Sequence, residues 1–200
     1  MNRRSLGWIG VAVVALIAAV MFGTGHVWLT PALSIEAPLL AQATTEATVS
    51  ADGAVPTLSG IYEDPQGNFQ VGLLEGAAVT IAGSSPLFTL PDGSLSYSVV
   101  PVPLDSETPL PEVTLVALAN QALNNGEGFQ TQTFTAVPQG LQIDWTGRLS
   151  QRGAPQPVSG SILASQQGAT VYLLVVAALE DATAQVPQTL VALADSLEFL

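Results

Sequence analysis

Two pairs of adjacent carboxylates, Glu63–Asp64 and Glu180–Asp181, are the residues in this chain whose types could support acid–base turnover. Glycoside cleavage needs two carboxyl groups facing each other across a bond. Among sixteen Asp and Glu some must come together in any fold. The plainer reading is therefore solvated acids, one pair flanking a hairpin turn and the other at a strand end. Covalent catalysis needs a Ser, Cys or Thr beside a base. The chain has no Cys, no Lys and one His, His26, which lies 32 residues before Leu58, where the first strand pattern begins. A Ser–His–Asp arrangement is thereby excluded, and a lone His without Cys or His partners makes no metal site. No spaced Asp/Asn loop of the EF-hand type is present. Gly23-Thr-Gly25 follows no strand, so it is not a phosphate loop. Flavin, nicotinamide and haem motifs are absent. The expectation is a non-enzyme with no catalytic, cofactor-binding or metal-ligating residue and no cofactor.

The stretch "LQIDWTGRLSQRG", residues 141–153, holds Arg148 and Arg152, the only Lys or Arg residues after Arg4. It also holds Trp145, the only tryptophan after Trp28. An isolated cation on an acidic surface beside an aromatic can anchor a protein interface. The alternation of the stretch opposes part of this. Leu141, Ile143, Trp145 and Leu149 fall on one side, and Gln142, Asp144, Thr146 and Arg148 on the other. Asp144 and Arg148 then share the polar side, some 13 Å apart at ~3.3 Å per residue, and do not pair directly. The structural reading, in which each Arg offsets nearby acids for about 0–1 kcal/mol, outweighs the interface reading. Arg148 and Arg152 stand as the candidate partner contacts.

These residues sit in a chain of 200 with a net charge of −12 and a pI of about 4.1. From Thr44 onward, two Arg against fifteen acids leave −13. Such a surface repels phosphate backbones, so no nucleic-acid partner is expected. Apolar residues make up 48 % and charged ones 10 %, a balance that argues for a folded core.

The N-terminus supplies a location. After Arg3 and Arg4, Leu6 to Phe22 carry no charge and no strongly polar side chain. Seventeen helical residues span about 25 Å, and extension through Gly25 approaches a ~30 Å hydrocarbon core. A cleaved signal peptide is the competing reading, but "AQA" at 41–43 lies about twenty residues past the apolar core. Length favours a retained anchor. "RRSL" begins like a twin-arginine signal, yet Gly7 breaks the apolar pair that should follow. All three place the rest of the chain outside the cytoplasm, on the periplasmic or thylakoid-lumenal side of a single-pass anchor. The expected division is an anchor or signal at 1–25, a flexible Ala/Thr/Ser/Pro-rich linker at 26–57, and a globular domain at 58–200.

Within the domain, period-2 runs alternate with turn residues. "GIYED" and "FQVGLLE" flank "PQGN"; "AAVTIAG" and "LFTL" follow. "PDGS" then turns into "LSYSVV", which aligns Leu95, Tyr97 and Val99. Pro91 presets φ, Asp92 can bond nearby backbone and Gly93 takes positive φ. "LPEVTLVALANQAL" is a helix stopped at "NNGEG". "FQTQTFTA" leads to the Trp145 stretch. "PVSGSILAS" then turns into "ATVYLLVVAAL", apolar at nearly every position and so covered on both faces. Val186, Leu190, Leu193, Leu197 and Leu200 describe one face of a terminal helix. The expected class is α+β: one antiparallel sheet with helices on both faces, preceded by a transmembrane helix.

This order resembles the PsbP-like superfamily, which takes in the photosystem II extrinsic protein PsbP and the bacterial envelope protein DcrB. "YEDPQGNFQVGLLEG" is similar to its opening hairpin, "PVSGSILASQQGATVYLLVVAA" to its late hairpin, and "LVALADSLEFL" to its closing helix. The match runs from about Ser59 to Leu200. It implies a non-catalytic domain that binds or assists a membrane protein complex, as a photosystem accessory or assembly protein. Two alternatives stand beside it: a general envelope protein of the DcrB kind, and a carrier of a small molecule or metal. Metal-binding members use His and acidic side chains. This domain has no His, so no ligand position is transferred.

Overall fold

The computed structural model describes residues 56–83, 85–123, 128–149 and 156–200. The anchor expected over 1–25, nearly all of the 26–57 linker, the helix stop at 124–127 and Arg152 lie outside the described residues. Among the described residues no helix is long and apolar enough to cross a membrane.

Five strands come first: β1 (Leu58–Glu63), β2 (Phe69–Leu74), β3 (Ala78–Ala82), β4 (Ser85–Thr89) and β5 (Leu95–Pro103). Helix α1 (Glu112–Leu123) follows, then β6 (Gln130–Val137), β7 (Gly140–Leu149), β8 (Gln156–Gln167) and β9 (Thr170–Leu179). A 3₁₀ turn (Glu180–Gln185) leads into α2 (Val186–Ser196), and the two residues of β10 (Glu198–Phe199) close the chain. All strand pairs are antiparallel. The class is α+β, as the patterning predicts.

The strands form two sheets where one was expected. Seven run in the order β3-β4-β5-β9-β8-β7-β6, and β1-β2-β10 make a smaller sheet. β9 sits at the centre of the large sheet, and every residue from Val171 to Ala178 is buried. Its side chains alternate between two cores. Tyr172, Leu174, Val176 and Ala178 join Phe69, Tyr97, Leu190 and Leu193 beneath α2 and the small sheet. Val171, Leu173, Val175 and Ala177 join Leu115, Ala119, Leu123 and Trp145 beneath α1. Each Val or Leu so buried contributes roughly 1.5–3 kcal/mol.

Local chemistry ends these elements where it should. In the "PDGS" turn Gly93 has φ +70°, and the Asp92 carboxylate accepts from both the N–H and the hydroxyl of Ser94 at 3.0 and 2.8 Å. The Pro111 carbonyl accepts the first N–H groups of α1, from Thr114 and Leu115. Glu112 in its first turn complements the helix dipole.

Two further expectations are corrected. The terminal helix stops at Ser196, and Leu197 is extended (φ −80°, ψ 115°), so the helical face does not run on to Leu197 and Leu200. The tail instead pairs Glu198 with Gln70 and Phe199 with Phe69, and the Phe199 ring packs on Tyr172 at 4.6 Å. Ser196 itself turns its hydroxyl back to the Leu193 carbonyl at 2.8 Å, a bond that competes with helix continuation. β5 runs through Pro101 and Pro103, beyond the "LSYSVV" run. β4 pairs only as far as Ser98, so neither proline has a β4 partner that needs an N–H.

Candidate functional site

β7 places the candidate residues. Its odd positions Leu141, Ile143 and Trp145 are buried under α1, as the alternation predicts. Its even positions Gln142, Asp144, Thr146 and Arg148 therefore point to the opposite face of the sheet. α2 covers that face over β8 and β9, and the surface toward β6 and β7 is left polar.

Asp144 is the centre of this polar surface. It lies directly opposite Ser161 of β8, whose hydroxyl donates to Oδ1 at 2.7 Å. On the other side β6 carries a bulge. Thr131 pairs with Trp145 and Phe134 with Ile143, so Gln132 and Thr133 together face the single residue Asp144. The extra residue lets Thr133 donate to Asp144 Oδ2 at 2.9 Å while Gln132 Nε2 reaches Thr146 Oγ1 at 3.0 Å. Gln142 Nε2 adds a third donor to Asp144 at 3.3 Å. Burial acts to raise the Asp144 pKa, but the Ser161, Thr133 and Gln142 bonds together hold it below its ordinary value. The carboxylate is thus kept charged and fixed in orientation.

Arg148 is exposed on the same face. Its stem passes beside Gly128, whose position would put a Cβ 3.9 Å from Arg148 Cγ. The structure brings Arg148 and Asp144 to one surface, and it separates Trp145 from both. The Trp145 ring is 8 % exposed, packs against Phe129 at 5.2 Å and rests on Gly160, its cross-strand partner. A Cβ at Gly160 would stand 2.9 Å from the indole and 2.0 Å from the Val176 carbonyl oxygen. Among the described residues the buried indole N–H has no partner.

The carboxylate pairs do not converge on a reacting site. Asp64 closes the first hairpin, accepting from the N–H and side-chain amide of Asn68 at 3.2 and 2.6 Å. Its charge and their own burial raise the pKa of both Tyr62 and Tyr172, with burial the larger cause. Glu180 and Asp181 are exposed on the 3₁₀ turn. A cleft of about 250 Å³ lies where the described chain begins, bounded by Pro56, Thr57, Glu75, Gln185 and Thr189, and its charged lining residue is Glu75. Among the described residues no three His, Asp or Glu gather as a metal-binding group.

The Asp144 network has no signal in the sequence. "FQTQTFTA" reads as even alternation, and nothing in it marks the bulge that brings Thr133 to the carboxylate.

No protein-family model matches the chain, and no curated protein does. Solved structures to which the chain is similar include a Bacteroides thetaiotaomicron protein (10 % identity, TM-score 0.48, 72 % of this chain). This chain spans only 49 % of that protein's length. They also include the cyanobacterial PsbP of Synechocystis (14 % identity, TM-score 0.47, 74 % of this chain and 96 % of that one). A third is LpqN, described as involved in cell envelope biogenesis of Mycobacterium tuberculosis (14 % identity, TM-score 0.40, 66 % and 82 %).

Proposed function

We propose that this chain is a non-catalytic, membrane-tethered domain on the extracytoplasmic side of a bilayer, which binds or assists a membrane protein complex. The contact surface is the polar face of β6, β7 and β8. The observation that carries the reading is the Asp144 carboxylate. It is held by three neutral donors on a sheet face that, among the described residues, no helix covers and that also presents Arg148. A fixed anion and an exposed cation on one rigid sheet suit recognition, since both charges are positioned before a partner arrives. The tether rests on the uncharged run Leu6 to Phe22 behind Arg3 and Arg4. Arg152, four residues beyond Arg148, is the second cation of the proposed contact.

The test is capture of partners by the tagged full chain from its native membranes. The sequence resemblance directs the first searches to photosynthetic and envelope membranes. The expected result is one membrane complex recovered with the wild type and reduced about tenfold or more by Arg148→Ala, with an unchanged melting temperature. Equal recovery with wild type and R148A would remove the polar face from the reading. Recovery of the intact chain in the soluble cytosolic fraction would remove the tether.

A further inference from the structure

We propose that two copies of this chain associate edge to edge through β3, as an antiparallel two-fold pair centred on Thr80. Among the described residues the large sheet ends in β3 on one side and β6 on the other, and the small sheet ends in β1 and β10. An end strand presents unpaired backbone groups, which proteins usually protect with charge, Pro or a bulge. β6 has its bulge between Thr131 and Phe134, β1 has a register shift between Leu58 and Gly60, and β10 is two residues long. β3 has none of these. Its five residues pair with β4 in unbroken register and read AVTIA.

That strand is nearly a palindrome, which a two-fold contact requires because each side must complement itself. With Thr80 opposite Thr80 of the second copy, Val79 falls opposite Ile81 and Ala78 opposite Ala82. The backbone agrees with this register. Ile81 pairs with Pro86 of β4, and Pro86 has no N–H to give. Ile81 and, two residues away, Val79 therefore occupy the non-hydrogen-bonded positions of the β3–β4 ladder. Their own N–H and C=O groups point outward. The same two residues become hydrogen-bonded partners across the two-fold, so each outward donor meets an outward acceptor.

Side chains and charge fit the same arrangement. Val79 and Ile81 are 39 % and 58 % exposed, and Val79 lies directly opposite the buried Phe88 of the core. Pairing would continue that core's apolar row across the boundary. β-branched pairs and a Thr–Thr pair are favourable cross-strand neighbours. From Gly76 to Pro91 the chain carries no charge, in a part of the protein whose net charge is −13. This edge is where two such acidic copies meet without bringing like charges together. A five-residue pair buries less than a standard interface, so the association is weak in dilute solution.

The chain has no Cys, so introduced thiols report the contact without background. Thr80→Cys in the full chain places two thiols at a non-hydrogen-bonded pair about 4.5 Å apart at Cα, within disulfide reach. At about 100 µM under mild oxidation, T80C should form a disulfide-linked dimer at least tenfold faster than Gln188→Cys on the exposed side of α2. A mixture of Val79→Cys and Ile81→Cys chains should link faster than either alone, which reads the register. It also serves if T80C lacks the wild-type circular dichroism. T80C and the mixture linking no faster than Q188C would overturn the proposal. So would linkage of T80C to a different polypeptide in place of its own copy.

Discussion

The hydroxyl of Tyr97 donates to the carbonyl of Gly72 at 3.1 Å and accepts the N–H of Leu74 at 3.0 Å. Tyr97 stands in the large sheet and Gly72 in the small one, so one phenol ties the two together. β10 pairs with β2 only at Phe69 and Gln70. The rest of that edge of β2 is completed by side chains, with Ser196 Oγ taking the Gly72 N–H at 2.9 Å and Tyr97 the remainder.

Tyr97→Phe should therefore cost about 1–3 kcal/mol, since it leaves the Gly72 carbonyl and Leu74 N–H short of partners in a buried place. Burial pushes the Tyr97 hydroxyl up to about 12, with the Leu74 hydrogen bond acting in the opposite direction. The folded pKa is above the unfolded value of about 10. The stability contributed by Tyr97 is thus complete below pH 10 and is lost as pH rises through about 12. Denaturant melts at pH 9 and pH 11 should show a wild-type advantage that shrinks relative to Y97F.

Gly160→Ala should destabilise the domain by about 3 kcal/mol or more. Its Cβ would meet the Val176 carbonyl oxygen at 2.0 Å and Trp145 at 2.9 Å, and the carbonyl belongs to the central strand, which cannot yield easily. Melting curves check this, and near-ultraviolet circular dichroism should show the altered packing of Trp145.

Asp144→Asn should weaken the domain modestly, by about 1 kcal/mol at neutral pH, because the amide keeps an uncharged acceptor oxygen for one of Ser161 and Thr133 and turns a donor to the other, whose hydroxyl must rotate to accept it. The folded pKa of Asp144 lies below its ordinary value. Its contribution is present above the unfolded value of about 4 and fades as pH falls through the lower folded one. Wild type and D144N should therefore converge in stability between about pH 4 and lower values. Urea midpoints at pH 7 and pH 3 measure it.

Ser196→Ala should cost about 1 kcal/mol, since the Gly72 N–H loses its acceptor and the α2 terminus loses the bond back to Leu193. Hydrogen exchange at the Gly72 amide should accelerate in S196A while the Gln70 amide, which faces Glu198 of β10, changes less.

Much of this architecture was legible in the residues. The unbroken apolar run of β9 announced a strand covered on both sides, and the alternation around Trp145 put the indole inward and Arg148 outward. Pro-Asp-Gly specified its own turn. The second sheet was not legible because the strands in it read like any others; the edge of β2 is finished by the Tyr97 and Ser196 hydroxyls in place of a neighbouring strand, and their partners on β2 lie 23 to 124 residues away. The β6 bulge was hidden for a related reason. Gln and Thr suit an exposed strand in either register, so only the cross-strand partner decides where the ladder slips.

The placement of β9 also governs how the domain comes apart. Because alternate side chains of a single strand belong to the two cores, neither can melt while the other survives, and no half-folded intermediate holding one of them is expected. The amides of residues 171–178 should be the last to exchange with solvent, at rates that report global opening.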